Sequence, residues 1–425
     1  MRAFGRNILR RKQNQDNRRG GRLGVQSRKV FAHYMVGLTD GHTLKDWTDE
    51  ILAAQASRID GFALNIGPAD PYTLTQLRLA YAAATAIWDD QGADFDLFLS
   101  FDMAAGQWAA DQVISLIDAF KDSPVYCRVD GSPLVSTFEG PGWAENWARV
   151  REATGGIYLV PDWSSLGPHG VGKKLDLIDG AFSWCAWPRA DEHCITTEED
   201  KLYEKALRGK AYMMGWNKNW HCSSERLWYD RWLQVLELRP DFVQIITWND
   251  YGESSYIYDP TRPSQVVPGA DKYVHDLHPH SAFRAVLPYF IAAYKSGLDK
   301  VNPPEEDCAI AWYRTTPADC GHDGDTVWGQ GGSQTASQGA KDVISVLAIT
   351  KEPTTVAISI GDSTQEFETH QRLGHVSLFE VPFEGRTGPV QLTLNGKSAT
   401  GTAISDVCHP CGHNTFNCAT VHVSS

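Results

Sequence analysis

An α/β architecture, a (β/α)8 TIM barrel followed by a C-terminal β-sandwich, is what the pattern of this chain calls for. Three observations carry that expectation. Short, continuous apolar runs alternate with amphipathic stretches from Val30 to about Gly297, as they do where strands are buried on both faces beneath a layer of helices. Eight such runs in about 265 residues match the usual size of a closed eight-fold unit. After Val301-Asn302-Pro303-Pro304 the rhythm changes to short β-rich runs separated by Gly, Pro, Asn and Asp, the signature of an antiparallel sandwich.

The eight expected barrel strands are Val30–Val36, Gly61–Ile66, Leu97–Phe101, Leu134–Thr137, Ile157–Val160, Ala181–Trp187, Ala211–Gly215 and Val243–Thr247. Between them, apolar spacing predicts helices over 44–57, 74–90, 109–120, 144–152, 198–208, 225–238 and 282–295. Thr73 and Ser224 serve as expected N-caps, and Gly140 and Gly209 mark turns. The slot after the fifth strand, 164–177, is the weakest helix. An open doubly wound sheet would carry a Gly-rich phosphate turn after its first strand, and His33-Tyr34-Met35-Val36-Gly37 is not one. Over 301–425 the expected strands are 310–314, 343–349, 355–360, 375–381, 390–394 and 420–423. A Gly/Ser/Gln-rich loop spans 321–341.

Charge narrows the function. Residues 1–29 hold ten basic side chains against the single acid Asp16, leaving 29 basic and 51 acidic groups in the other 396 residues. So acidic a body repels phosphate backbones, which argues against nucleic acid as a partner. The basic head reads as a disordered tail. It lacks the apolar run of a secretory signal, and no stretch is long and apolar enough to cross a membrane as a helix. The nine Cys pull the other way. Cys308 and Cys320, with Cys408, Cys411 and Cys418, fall in loop-like sequence, as disulfides of exported proteins do. The residues are thus divided on location, and a monomeric state is expected.

A barrel of this kind builds its active site at the C-terminal ends of its strands. The residues there are His33, Asn65, Asp102, Glu139, Asp162 with Trp163, Trp184 with Trp187, Trp216 with Trp220, and Trp248, Asn249, Asp250 and Glu253. Acids, amides and indoles dominate, while Lys and Arg are nearly absent. Carboxylates with aromatic platforms suit a neutral, hydroxyl-rich ligand with apolar faces, a carbohydrate. A single Asp at a strand end is more often a helix cap or a loop hydrogen-bonder, but five acids on one rim are harder to explain that way. Tyr256 joins the expected substrate contacts. Glycosidic cleavage requires one carboxylic acid to protonate the leaving oxygen and one carboxylate to act on the anomeric side. Asp250 and Glu253 stand three positions apart, within about 10 Å at the Cα atoms, which is compatible with an inverting pair. No metal or cofactor is expected. His275-x-x-His278-x-His280 sits in a Pro-containing loop, and Cys408-His409-Pro410-Cys411 matches neither haem nor zinc spacing.

Four segments, Val30–Gly37, Asp60–Asn65, Asp179–Trp184 and Gln244–Ser254, together with Ala403-Ile404-Ser405-Asp406, closely resemble glycoside hydrolase family 71, the fungal α-1,3-glucanases or mutanases. The likeness runs from about Val30 to the end. It implies a barrel with an appended sandwich, no cofactor, and hydrolysis of α-1,3-glucan with inversion. It places the essential carboxylate pair on Asp250 and Glu253. A further essential Asp maps by the resemblance to Asp60, whereas strand-end geometry favours Asp102, and both stay candidates. Gly215-Trp216-Asn217-Lys218-Asn219-Trp220 departs from the family's more aromatic, Pro-containing stretch. The rival expectations are a non-hydrolytic α-glucan-binding protein and an α-glycosidase of other specificity, such as an endo-α-mannosidase-like enzyme.

Overall fold

The computed structural model describes residues 28–188, 192, 194–217, 223–274, 276, 278–321, 339–372, 374–408 and 417–425. The described parts of Met1–Cys185, Thr197–Gly215 and Pro240–Ile245 form one compact unit. Ala186–Thr196, Trp216–Arg239 and Ile246–Ser425 form a second.

The first unit is organised by a curled nine-stranded sheet. Its strands are β1 (Lys29–Met35), β2 (Gly61–Ile66), β3 (Asp96–Asp102), β4 (Arg128–Val129), β5 (Ser132–Phe138), β6 (Tyr158–Pro161), β7 (Gly180–Ser183), β8 (Ala211–Trp216) and β9 (Phe242–Ile245). Their order is β4-β5-β3-β2-β1-β9-β8-β7, with β6 beside β5. Pairing is parallel between β1 and β2, β1 and β9, β2 and β3, β3 and β5, β5 and β6, and β7 and β8. The short β4 forms an antiparallel hairpin with β5. An isolated parallel bridge joins Asp162 to Phe182.

Burial explains the unbroken apolar runs: all six residues of β2 are buried, as is β3 up to Ser100 and Phe101. Parallel strands need crossovers, and helices α1 (Leu44–Ala56), α2 (Thr73–Gln91), α3 (Ala110–Phe120), α4 (Asn146–Thr154), α5 (Gly167–Val171) and α6 (Glu198–Leu207) provide them. Tyr34 of β1 stacks on Trp47 of α1 at 4.7 Å, and Trp47 Nε1 donates to Gln76 of α2 at 2.9 Å. One glycine is dictated by crowding. A Cβ on Gly61 would lie 2.0 Å from the Asp96 carbonyl oxygen.

Several local expectations are corrected. Thr73 is the first residue of α2 rather than its cap, and Tyr72 precedes it without a capping side chain. The capping box is instead Thr43 with Asp46, at the start of α1. Strand 181–187 stops at Ser183, because the Trp184 amide turns to donate to Ser164 Oγ at 2.8 Å. The slot over 164–177 contains only the five-residue α5, preceded by a short 3-10 turn.

The second unit contains α7 (Leu227–Leu238), α8 (Ser281–Lys295) and strands β10 (Cys308–Tyr313), β11 (Val343–Ile349), β12 (Thr355–Ile360), β13 (Ser363–Glu368), β14 (Val376–Pro382), β15 (Gly388–Leu394), β16 (Lys397–Ile404) and β17 (Ala419–Ser424). Helix α7 begins at Leu227 with Arg226 at its cap, not at Ser224. The strands make two antiparallel four-stranded sheets, β14-β11-β10-β17 and β13-β12-β15-β16. Their apolar faces contribute to one buried cluster. Ala309, Val346 and Val381 enter it from the first sheet, and Val356, Ile358 and Leu392 from the second. Helix α8 packs on β10 and β17.

Cys320 and Cys408 form a disulfide, whereas Cys308 and Cys418 are buried thiols, a correction to the expectation that they are bridged. Cys411, His275 and Trp220 lie outside the described residues, as does nearly all of the basic head. Among the described residues no helix is long and apolar enough to cross a membrane.

Candidate active site

In the first unit, register decides which side chains share a face. Paired residues on neighbouring strands point the same way, and alternate residues along a strand do too. Met35 pairs with Asn65, Asn65 with Ser100, and Asp102 with Phe138. His33, Asn65 and Asp102 therefore stand on one face of the curled sheet. Trp184 spans that face. Its ring centroid lies 4.9 Å from His33 of β1 and 4.8 Å from Phe138 of β5. It is half-buried, leaving ring surface for a ligand.

His33 is buried, with Nδ1 3.0 Å from Gln244 Nε2 on β9. Desolvation lowers its pKa to about 3, so the imidazole is neutral at every pH near 7 and serves as a hydrogen-bonding group, not a proton shuttle. Asp102 Oδ1 accepts from the amides of Ala104 and Ala105 at 3.0 and 2.9 Å. Burial raises its pKa, and those bonds only partly offset the rise. The Asn65 amide also favours the ionised form of Asp102, yet its Nδ2 has no partner at hydrogen-bond distance among the described residues.

Asp60 occupies a different place. It immediately precedes β2, where Oδ2 accepts from the Val30 amide at 2.7 Å. At about 3.3 Å per residue it lies roughly 16 Å down the strand from Asn65. Asp162 is fully buried; Ser164 donates to its Oδ1 from both Oγ and N, at 2.5 and 2.9 Å. Desolvation lifts its pKa to about 7. Asp162 thus ties the chain after β6 to Ser164. Glu139 gives its two oxygens to the amide and hydroxyl of Ser165, at 3.0 and 2.5 Å.

In the second unit, the segment following β9 folds back on itself. The Thr247 amide donates to the Ser255 carbonyl, and the Ile257 amide to the Thr247 carbonyl, both at 3.1 Å. Inside this loop the Asp250 amide donates to Thr247 Oγ1 at 2.8 Å, and the Glu253 amide to Asp250 Oδ1 at 3.2 Å. Asp250 thus closes a tight turn that ends on Glu253. Asp250 is half-buried, and its pKa is raised by desolvation against the opposing amides of Glu253 and Gly252. Glu253 keeps solvent contact. Even so, the surrounding protein desolvates it enough to raise its pKa to about 7, and the charge of Asp250 adds to the rise. Two adjacent carboxyls that resist ionising together give one proton donor and one proton acceptor at the same pH.

The remaining aromatic candidates are largely enclosed. Trp163, Trp216, Trp248 and Tyr256 have no accessible surface, and Asn249 and Trp187 almost none. Trp248 stacks on Tyr258 at 4.9 Å, and Trp216 packs on Trp228 and Trp232 at 5.6 and 5.7 Å. The rings of Trp248 and Trp216 are thus packed against neighbouring aromatic rings. Sequence reasoning missed Tyr273. Its hydroxyl donates to the Gly252 carbonyl at 3.0 Å. Its pKa is raised by burial and then by the charges of Asp250 and Glu253. Nothing in the spacing of the 259–280 loop singles it out.

The chain is 35% identical over 356 residues to a mutanase of Penicillium rubens, spanning 80% of this chain and 76% of that one. It is 33% identical over 398 residues to the glucan endo-1,3-alpha-glucosidase agn1 of Schizosaccharomyces pombe, spanning 88% and 89%. An ascus wall endo-1,3-alpha-glucanase of the same yeast is 28% identical over 367 residues, spanning 79% and 82%. Among solved structures, a GH99 endo-alpha-mannosidase from Bacteroides thetaiotaomicron aligns at a TM-score of 0.47 and 11% identity, over 65% of this chain and 99% of that one. The family model for glycosyl hydrolase family 71 matches residues 26–425, and the chain belongs to that family.

Proposed function

We propose that this glycoside hydrolase cleaves the α-1,3-glucosidic linkages of fungal cell-wall α-1,3-glucan, with inversion at the anomeric carbon. The observation that carries the mechanism is the turn in which the Glu253 amide binds Asp250 Oδ1 while Glu253 itself titrates near 7. Glu253 is the general acid that protonates the departing O3. Asp250 is the general base acting on a water at the opposite face of the ring. The names of the relatives, a mutanase and an endo-1,3-alpha-glucosidase, support the substrate. Within the first unit taken by itself, Asp102, His33 and Asn65 would hold sugar hydroxyls and Trp184 would be a stacking platform. Asp60, tied to the Val30 amide, has a bracing role.

The Asp162–Phe182 bridge supports closure of the curled sheet into a (β/α)8 barrel over 30–300, and the shared apolar cluster supports a β-sandwich over 301–425. A monomer acting outside the cell or at the cell wall fits a polymeric substrate.

The test is incubation with insoluble α-1,3-glucan, following new reducing ends and the anomeric form of fresh product by NMR. Release of the β-anomer supports both substrate and inversion, and α-anomer would refute inversion. Binding without release across pH 4–8 would move the assignment to a non-hydrolytic glucan-binding protein, and release only from other α-glycans to a different α-glycosidase.

A further inference from the structure

We propose that Tyr273 and Asn417 are positioning residues for the Asp250–Glu253 turn, so that the C-terminal β-rich segment takes part in catalysis instead of serving only as a glucan anchor. The proposal rests on the reading of Asp250 and Glu253 as base and acid.

Asn417 is fully buried just before β17. Its Nδ2 donates to the Tyr273 carbonyl at 2.8 Å and to the Tyr256 hydroxyl at 3.0 Å, while its Oδ1 accepts from the Cys418 amide at 2.9 Å. The Tyr273 carbonyl can only accept, so the amide orientation follows from the network. Both Nδ2 hydrogens are then committed. Each recipient leads to the acid–base turn. The Tyr273 hydroxyl holds the carbonyl of Gly252, the residue just before Glu253. Tyr256 donates onward to the His278 carbonyl at 3.1 Å, and its ring packs against Tyr251 at 5.1 Å. A parallel tie runs through His280, whose ring stacks on Tyr256 at 4.0 Å. Its nitrogens face the Tyr256 carbonyl at 2.7 Å and the Cys418 carbonyl at 2.9 Å.

The turn itself has little slack. A Cβ at Gly252 would lie 3.3 Å from Val267 Cγ2 and 3.4 Å from Asp250 Oδ1. Residues 417 and 418 are thus tied, through Tyr273, Tyr256 and His280, to the backbone between the two carboxylates and to the backbone that follows them. A misplacement of about 1 Å in such a group costs on the order of 100-fold in rate.

The test compares Tyr273→Phe, Asn417→Ala and Glu253→Gln with the parent, on soluble α-1,3-gluco-oligosaccharides and on insoluble glucan. The expected result for Tyr273→Phe and Asn417→Ala is a kcat lower by about 10–100-fold, KM within about twofold, and an alkaline limb of the pH–kcat profile displaced from that of the parent. The loss should be equal on soluble and insoluble substrate, since an anchoring role would spare the soluble one. Tyr273→Phe keeps the ring and guards against a folding defect in Asn417→Ala. Parental kcat and pH profile in Tyr273→Phe, with Glu253→Gln inactive, overturn the proposal and leave the acid–base reading intact. Full activity in Glu253→Gln overturns that reading, and this proposal with it.

Discussion

Glu253 provides the sharpest quantitative test. A catalytic acid works only while protonated, so its pKa sets the alkaline limit of kcat/KM. The structure puts that value at about 7, from desolvation first and the neighbouring Asp250 charge second. At pH 6 the protonated fraction is then about 90%, at pH 8 about 10%, and at pH 9 about 1%. An unperturbed Glu, near 4.3, would retain only about 2% of its protons at pH 6. The two cases differ by roughly 45-fold at pH 6, far beyond assay error. The assay is initial-rate kcat/KM on a soluble α-1,3-gluco-oligosaccharide from pH 4 to 9, beside a carbon-13 NMR titration of labelled glutamate carboxyls. Because the two groups interact, the limbs belong to the pair. Asp250→Asn removes the second cause and keeps the first, so the Glu253 resonance should titrate below 7 yet above 4.3. Activity already lost by pH 6, or a Glu253 titration near 4.3 in the parent, would refute the reasoning. An unmoved titration in Asp250→Asn would show that the two carboxyls do not sense each other.

Four further outcomes are expected. Between about pH 4 and 7 the folded protein holds the Glu253 proton and the unfolded chain does not, so stability from this group falls as pH rises. Glu253→Gln, already expected to abolish kcat, should therefore melt higher than the parent at pH 8 and equally at pH 4, and a lower Tm at pH 8 would contradict the raised pKa. Asp60→Ala removes the acceptor of the Val30 amide and should cost about 1–3 kcal/mol in urea unfolding with kcat within about threefold, whereas a kcat collapse in a folded variant would return Asp60 to the catalytic set. Trp184→Ala should raise KM for oligosaccharides about tenfold, the value of one aromatic contact of about 1.4 kcal/mol, and an unchanged KM would remove Trp184 as a platform. The Cys320–Cys408 disulfide closes a loop with a sequence separation of 88, so Cys320→Ser should lose up to about 4.6 kcal/mol on the chain-entropy view. An unchanged urea midpoint would show that the cross-link does not restrain the unfolded chain.

The strands of the curled sheet were legible because burial on both faces leaves an unmistakable apolar run, as in Gly61–Ile66. Where that pressure is absent the signal fades. Strands β13 and β16 were missed because their burial alternates or is slight, so Thr, Ser, Gln and Lys fill them. Strand β7 is shorter than its apolar run because Phe182, Trp184 and Trp187 look alike in composition, while a hydroxyl at Ser164 ends the strand. The turn from Asp250 to Glu253 after β9 is a local feature, because the Asp250 carboxylate accepts an amide only three residues on. The aromatic set was only partly legible, since Trp184 and Trp248 have the same chemistry and only packing distinguishes a half-open ring from a covered one. Tyr273 and Asn417 were invisible. Their roles come from contacts with residues 21 and 161 positions away, which no local pattern encodes.

The seating of β1 between β2 and β9 has a consequence for how the protein is made. Val30 finds its partner Val243 only after 213 further residues have been joined. At a synthesis rate of about 5–20 residues per second, that edge of β1 waits roughly 11–43 s after β1 emerges from the ribosome. An apolar strand with unpaired amides is a template for other chains throughout that interval. Slowing elongation lengthens the exposure and slowing initiation does not. Yields of soluble protein should therefore respond to how densely ribosomes load the message, with crowded polysomes losing the most.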